Sequence, residues 1–202
     1  MLKSFFSDTY QFEAGCDEAG RGCLAGPVVA GAVILPKDFE HDILTDSKAL
    51  NKTTRESLVN DIKEVAISWA IAVVEPEEID RINILKASFL AMHKAVDQLK
   101  TRPDLLLIDG NRFTPYPEIS HECIIKGDSK YFSIAAASIL AKTHRDMLME
   151  QYAEVHPYYG WERNYGYPTR QHREGIRTYG ISPLHRKSFQ LLPRQLDLFK
   201  EK

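Results

Sequence analysis

Asp17-Glu18-Ala19-Gly20-Arg21-Gly22, followed through Cys23-Leu24-Ala25-Gly26-Pro27 by Val28-Val29-Ala30-Gly31-Ala32-Val33-Ile34-Leu35, decides which kind of fold this chain adopts. Gly20-Arg21-Gly22-Cys23-Leu24-Ala25 formally fits the glycine fingerprint of dinucleotide-binding folds and follows a strand-like segment. That fingerprint needs its glycines to open a helix whose N-terminus holds a pyrophosphate. Here Gly26-Pro27 intervenes, and the apolar, β-branched run that follows is stopped by Pro36, so it reads as a buried strand. Two carboxylates directly before the turn would also repel a pyrophosphate. The stretch is therefore strand, turn and strand, with an acidic pair at the end of the first strand. Adjacent carboxylates repel each other, and Arg21 is the one cation nearby, which makes a divalent metal the natural neutraliser. Glycine on both sides of Arg21 lets an anionic ligand come close to the backbone.

Working outward, strands are expected at 12–17, 28–35, 66–74, 105–110 and 121–125. Helices are expected at 54–65, 76–100, 132–152, 170–179 and 183–190. Ile79, Ile82, Leu85, Leu90, Met92, Val96 and Leu99 follow approximately helical spacing. Pro76 before Glu77 and Glu78 suits a helix start, where proline lacks only an unneeded donor and carboxylates face the positive dipole end. Strands that first cluster and then alternate with helices indicate an α/β fold with a mixed five-stranded sheet. Residues 1–155 form the expected core, 156–192 a helical, substrate-facing extension rich in Tyr, Pro, Gly, Arg and His, and 193–202 a tail. No internal repeat or low-complexity tract interrupts this order.

The chain has 202 residues, enough for a substantial single core. No segment approaches the roughly 18 uncharged apolar residues of a membrane span, and the acidic N-terminus does not read as a signal peptide. A cytoplasmic protein is expected. Cys16, Cys23 and Cys123 make an odd number without zinc-ligand spacing, so neither a disulfide framework nor a zinc site is expected. A net charge of −2 excludes a uniformly basic nucleic-acid binder, but the charge is unevenly distributed. Arg163, Arg170, Arg173, Arg177, Arg186 and Lys187 surround the single acid Glu174 between positions 163 and 187, with His172 and His185 alongside. One basic face for a phosphate backbone and one acidic site for metal would account for this distribution. An ordinary solvated helix face is the alternative reading.

Asp17 with Glu18, Asp109 before Gly110, and Asp128 after Gly127 all lie at a strand end or in the loop beyond it. Open α/β sheets gather ligands at strand ends, so acids distant in sequence can converge there. Hard carboxylate oxygens suit Mg²⁺ or Mn²⁺. Two such ions can activate water and stabilise the leaving oxygen of a phosphodiester displacement. No phosphate-binding P-loop, nucleophile elbow or zinc-type histidine motif competes with this reading.

These residues also fall in a series of ordered motifs. They are Asp17 to Gly22, Thr45-Asp46-Ser47-Lys48-Ala49-Leu50, Ile108-Asp109-Gly110-Asn111 and Lys126-Gly127-Asp128-Ser129-Lys130. Ala135-Ala136-Ala137-Ser138-Ile139-Leu140-Ala141-Lys142 with Arg145-Asp146, Gly166-Tyr167-Pro168-Thr169, and Pro183-Leu184-His185-Arg186-Lys187-Ser188-Phe189 continue it. Together, from about residue 13 to 190, the chain resembles the type 2 ribonucleases H, the bacterial ribonuclease HII family.

The resemblance implies a ribonuclease H-like fold. It also implies an endonuclease that cuts the RNA strand of RNA–DNA hybrids and cuts 5′ of single ribonucleotides in duplex DNA, leaving 3′-hydroxyl and 5′-phosphate ends. Asp17, Glu18, Asp109 and Asp128 match the family's metal-binding catalytic acids, with two Mg²⁺ or Mn²⁺ ions in use. Gly20, Arg21 and Gly22 match the turn around the ribose 2′-hydroxyl, and Tyr167 matches the tyrosine beside the junction sugar. Where family members often carry Gly-Ser-Gly, this chain has Asn164-Tyr165-Gly166, so Tyr165 competes with Tyr167, which holds the place next to proline. Physically, glycine alone admits backbone amides to a sugar hydroxyl, and the 2′-hydroxyl is what separates RNA from DNA. Lys48, Lys126, Lys142 and Arg186 are expected phosphate contacts. Ser138 with Lys142 has an alternative reading as a helix-packing pair. A junction nuclease or integrase on the same fold, and a silent clamp-associated binder, are the rival classes.

Gln195, Leu196, Asp197, Leu198 and Phe199 resemble the pentapeptide by which bacterial repair proteins dock on the sliding clamp. Leucine and phenylalanine would fill an apolar groove while glutamine fixes the orientation. The tail could instead fold back on its own domain. A monomer is expected.

Overall fold

A computed structural model of the chain describes residues 2–42, 44 and 50–193. In chain order the elements are β1 (Glu13–Ala19), β2 (Val28–Ile34), α1 (Lys52–Val65), β3 (Ser68–Val74), α2 (Pro76–Ile82), α3 (Ile84–Asp97), β4 (Leu105–Asp109), β5 (Ser120–Ile124), α4 (Phe132–Val155), α5 (Trp161–Asn164) and α6 (Arg170–Tyr179). The five strands form one sheet in the order β3-β2-β1-β4-β5. β1 to β3 are antiparallel neighbours, whereas β4 runs parallel to β1 and β5 parallel to β4. This is the mixed α/β sheet with flanking helices that the sequence predicts.

Side chains alternate across a strand, so each face of the sheet takes its own helix. Ala14, Cys16, Ala30, Ala32, Leu106 and Ile108 pack on one face with Ala87, Ala91, Met92 and Ala95 of α3. On the other face α4 comes unusually close, because glycine occupies β1 and β2 beneath it. A Cβ on Gly15 would stand 2.2 Å from the Ser133 carbonyl carbon, and one on Gly31 would stand 2.5 Å from the Ala137 oxygen. The small run Ala135-Ala136-Ala137 of α4 is fully buried at this contact.

Two expected helices need correction. The helix expected over 76–100 is broken at Asn83, which has φ 71°, and its side-chain oxygen accepts from Lys86 N at 3.1 Å to cap α3. Asparagine tolerates this left-handed backbone and competes with the helical ladder through its side chain, so it ends one helix and starts the next. The segment 183–190 is not helical, because its backbone groups bond elsewhere. Arg186 N donates to Leu24 O, and Lys187 N and Ser188 N both donate to the Asp80 carboxylate at 2.9 Å.

Residues of the extension pack on the end of α4 and on the loop after β1. Tyr159, Trp161 and Ile176 are buried with Leu24, Ala25, Met149 and Ala153. Thr169 caps α6 by accepting from His172 N at 3.2 Å. Cys16, Cys23 and Cys123 are free thiols, and no helix among the described residues is long and apolar enough to cross a membrane.

Candidate active site

Strand pairing brings the acids together. Cys16 of β1 lies opposite Ile108 of the parallel β4, so the next step along each strand sets Asp17 beside Asp109 at the interstrand spacing of about 4.8 Å. Asp109 in turn lies opposite Ile124 on β5. Two residues later Lys126 adopts φ 56°, and the chain folds into a 3₁₀ turn, Gly127–Ser129, that carries Asp128. Gly127 N donates to Asp109 Oδ1 at 2.7 Å and fastens the turn to β4. One carboxylate oxygen each from Asp17, Asp109 and Asp128 lie within 4.8 Å of one another.

Asp17 and Asp128 are buried, at 5% and 4% exposure. Burial first, then the negative charges of Glu18 and Asp109, hold the Asp17 carboxyl well above the usual carboxylate range. Hydrogen bonds from the Ser138 side chain and from Glu18 N work in the opposite direction. A buried group of acids with one such strained member fits a divalent cation, which supplies the missing opposite charge to hard oxygen donors. Glu18 is not one of the three clustered acids. Its Oε1 accepts from Arg21 Nη1 at 3.1 Å within the following turn, and its side chain reaches the same cavity.

That cavity, of about 270 Å³, opens over Asp17, Glu18 and Asp109. The Gly20-Arg21-Gly22 turn, Tyr167, and Ser138 and Lys142 of α4 line it. A Cβ on Gly22 would meet nothing nearer than Tyr167 Cε1, 3.9 Å away. Tyr167 is 41% exposed, and burial first, then the neighbouring Cys23 thiol, raises its phenol pKa. Of the two competing tyrosines, Tyr167 lines the cavity. Tyr165 instead stacks under Lys142, whose Nζ is 4.8 Å from the ring centre. Lys142 also donates to Asp146 Oδ1 at 2.6 Å. Ser138 is more than a packing partner, since it reaches Asp17 from α4.

Arg186 does not take the expected place at a phosphate. It is fully buried, and its guanidinium donates to Gly26 O, Arg21 O and Pro27 O at 3.0, 3.0 and 3.1 Å. Arg145, to which the sequence alone assigns no role, is its counterpart. It donates to Pro27 O, Tyr165 O and Ala25 O at 2.9, 2.9 and 3.1 Å. Gly20, with φ 100°, leaves the room for it, because a Cβ there would stand 2.1 Å from Arg145 Nε. The two planar guanidinium groups fix the loop that carries the glycine turn. Buried arginines give no sequence signal beyond their presence in a motif, since a surface arginine reads identically. Lys126 is exposed beside the acidic turn, whereas Lys48 and the peptide Gln195 to Phe199 lie outside the described residues.

The sequence family described as Ribonuclease HII matches residues 14–192. A Ribonuclease HII of Parabacteroides distasonis is 63% identical over 193 residues, covering 96% of this chain and 97% of that protein. Among solved structures, the ribonuclease H2 of Pyrococcus horikoshii is similar with a TM-score of 0.73 and 26% identity, covering 89% of this chain and 94% of that one. The ribonuclease HII in a PCNA complex from Archaeoglobus fulgidus is similar with a TM-score of 0.70 and 27% identity, covering 93% and 100%.

Proposed function

The chain belongs to the ribonuclease HII family of metal-dependent ribonucleases H, and on that premise we propose that it cuts 5′ of single ribonucleotides embedded in duplex DNA as well as the RNA strand of hybrids. The products are 3′-hydroxyl and 5′-phosphate ends. The convergence of Asp17, Asp109 and Asp128 from three neighbouring strands and the turn beyond the last, beside a glycine turn and a tyrosine, carries this reading.

Asp17, Asp109 and Asp128 would hold two Mg²⁺ or Mn²⁺ ions, with Glu18 joining on the leaving-group side. Such ions lower the pKa of water and offset the charge that develops on an attacked phosphodiester. Ser138 orients the Asp17 carboxylate, and Gly127 N orients that of Asp109. Gly20, Arg21 and Gly22 present backbone and guanidinium to the ribose 2′-hydroxyl and its phosphate. Tyr167, beside the turn, packs on the sugar, and a deoxyribose would leave the turn without its hydroxyl partner. Lys142 and Lys126 contact phosphates on either side of the acids. Free thiols suit a reducing cytoplasm, and the enzyme acts as a monomer.

Cleavage of duplex DNA carrying one ribonucleotide, with and without Mg²⁺ or Mn²⁺, tests this reading. Wild type should cut once, 5′ of the ribose, only with metal, and Asp109→Asn should bind but not cut. Cleavage of duplex lacking any ribose would indicate a junction-type nuclease, and full turnover by Asp109→Asn would remove the acidic site from the chemistry. The peptide Gln195-Leu196-Asp197-Leu198-Phe199 supports a second, separate role in docking on a sliding clamp. The PCNA complex named for the Archaeoglobus fulgidus relative favours it. Deletion of 195–202 should abolish clamp binding and spare cleavage of short substrates.

A further inference from the structure

Behind Tyr167 lies a buried polar group with no part in the chemistry described above. His172 of α6 is 0% exposed and His185 is 1% exposed. His172 Nδ1 is 3.0 Å from Tyr167 O, while its Nε2 is 3.0 Å from Trp161 Nε1 and 3.1 Å from His185 Nε2. Ser182 N donates to His185 Nδ1 at 2.9 Å.

The contacts with one-way donors and acceptors set the tautomers of both rings. A carbonyl oxygen only accepts and an indole N–H only donates. His172 must therefore carry its proton on Nδ1, facing Tyr167 O, and receive Trp161 at a bare Nε2. His185 receives Ser182 N–H at a bare Nδ1, so its own proton is on Nε2 and points at the same bare nitrogen of His172. A second proton on His172 would face the Trp161 and His185 N–H donors, whereas one on His185 Nδ1 would meet Ser182 N–H with Ser182 Oγ alongside at 3.0 Å. The groups acting on the pair from neighbouring elements are Arg173 on α6 and His156 at the end of α4, and each disfavours added positive charge. The Tyr159 ring, 4.7 Å from His185, closes the remaining side.

We propose that His172 and His185 are positioning residues for Tyr167, holding its main-chain oxygen and so setting the ring against Gly22. The proposal rests on the assignment of Tyr167 to the ribose. The Cys23 thiol lies beside the phenol end of Tyr167, and His172 together with Thr169 N holds the backbone end. A side chain whose backbone is held in place needs less reordering when a sugar arrives, which is the pre-organisation that recognition of one hydroxyl demands.

A double-mutant cycle tests the inference by single-turnover cleavage of duplex DNA with one ribonucleotide. His172→Gln, which removes the side-chain donor toward Tyr167 O and leaves Thr169 N, at 2.8 Å, as the other, should slow cleavage roughly tenfold in the wild-type background and less than about twofold in the Tyr167→Ala background. Equal losses in both backgrounds would show that the pair acts elsewhere and overturn the proposal. His172→Asn, whose amide can replace the ring Nδ1–H, should recover most of the rate, and a rate no better than that of Gln counts against it. If Tyr167→Ala alone costs nothing, the ribose assignment fails first and the positioning role with it. Should His172→Gln not fold, ¹⁵N NMR of histidine-labelled wild type decides. The expected tautomers are Nδ1–H for His172 and Nε2–H for His185 at about pH 7, with the Tyr167 ring resonances moving when the pair gains a proton. The opposite tautomer, or an unmoved Tyr167, overturns the assignment.

Discussion

The main-chain oxygen of Arg21 accepts from Nη1 of Arg186 at 3.0 Å, joining positions 165 residues apart. The apex of the glycine turn is thus held by a residue close to the end of the extension. Burial pulls the Arg186 pKa down to about 10, so the group keeps its charge at neutral pH while its donors engage carbonyl oxygens. Lysine would keep the charge but cannot present a planar fork to three acceptors. Arg186→Lys should therefore cost about 2–4 kcal/mol, from buried carbonyls left unpaired. Thermal unfolding would register this as a fall of about 2–4 °C per kcal/mol.

Asp17 is held in an environment that opposes its charge. Asp17→Asn removes the like-charge repulsion with Glu18 and Asp109 and keeps the side-chain shape. The variant should melt about 2–4 °C higher than wild type in metal-free buffer and lose cleavage by at least about a hundredfold. Added Mg²⁺ should raise the melting temperature of wild type more than that of the variant, because a ligand that binds only the folded state stabilises it. An unchanged metal response in Asp17→Asn would place the cation away from this carboxylate.

Much of the site was legible because its residues sit where periodicity and punctuation speak clearly. Asp17 and Asp109 end apolar runs, and Pro27 shows that a strand, not a helix, follows the glycine turn. What was hidden depends on tertiary partners. Arg186 reads as a surface cation until the carbonyls of Arg21, Gly26 and Pro27 are found around it. Asn83 lies within helical spacing, and only its own backbone angle and capping bond reveal the break. The 183–190 segment has helical residue types, but Asp80 and Leu24 take its backbone donors.

The histidine pair gives the fold an acid limit. Burial lowers the pKa of His172, and it brings that of His185 down from 6.5 to about 4, helped by His172. With folded values below unfolded ones, the unfolded chain binds more protons between these limits, so the stability present above pH 6.5 is lost as pH falls toward 4. Denaturant unfolding should show a loss on the order of 2 kcal/mol over that window. His185→Asn, whose side-chain oxygen can still accept from Ser182 N, should flatten the slope. An equal slope in the variant would assign the acid sensitivity to the carboxylates.

Two glycines separate the scaffold from the site. Gly15 lies in β1 under α4, and a methyl group there meets backbone atoms of Ser133 that cannot swing away. Gly15→Ala should cost at least about 3 kcal/mol by forcing α4 off the sheet. Ser138 and Lys142 ride on α4, so activity should fall along with stability. At Gly22 the added methyl meets only the Tyr167 ring edge at ordinary van der Waals distance. Gly22→Ala should therefore fold as well as wild type, and better by about 0.4–1 kcal/mol if the loss of unfolded-chain freedom is the only change. The same methyl would project beside Tyr167 from the lining of the cavity that a ribose has to enter. Its effect should appear as a loss of roughly ten- to hundredfold in cleavage at a single ribonucleotide, with a melting curve no lower than that of wild type. Measured side by side, equal stability losses in the two variants would mean that Gly22 supports the fold rather than admits the sugar.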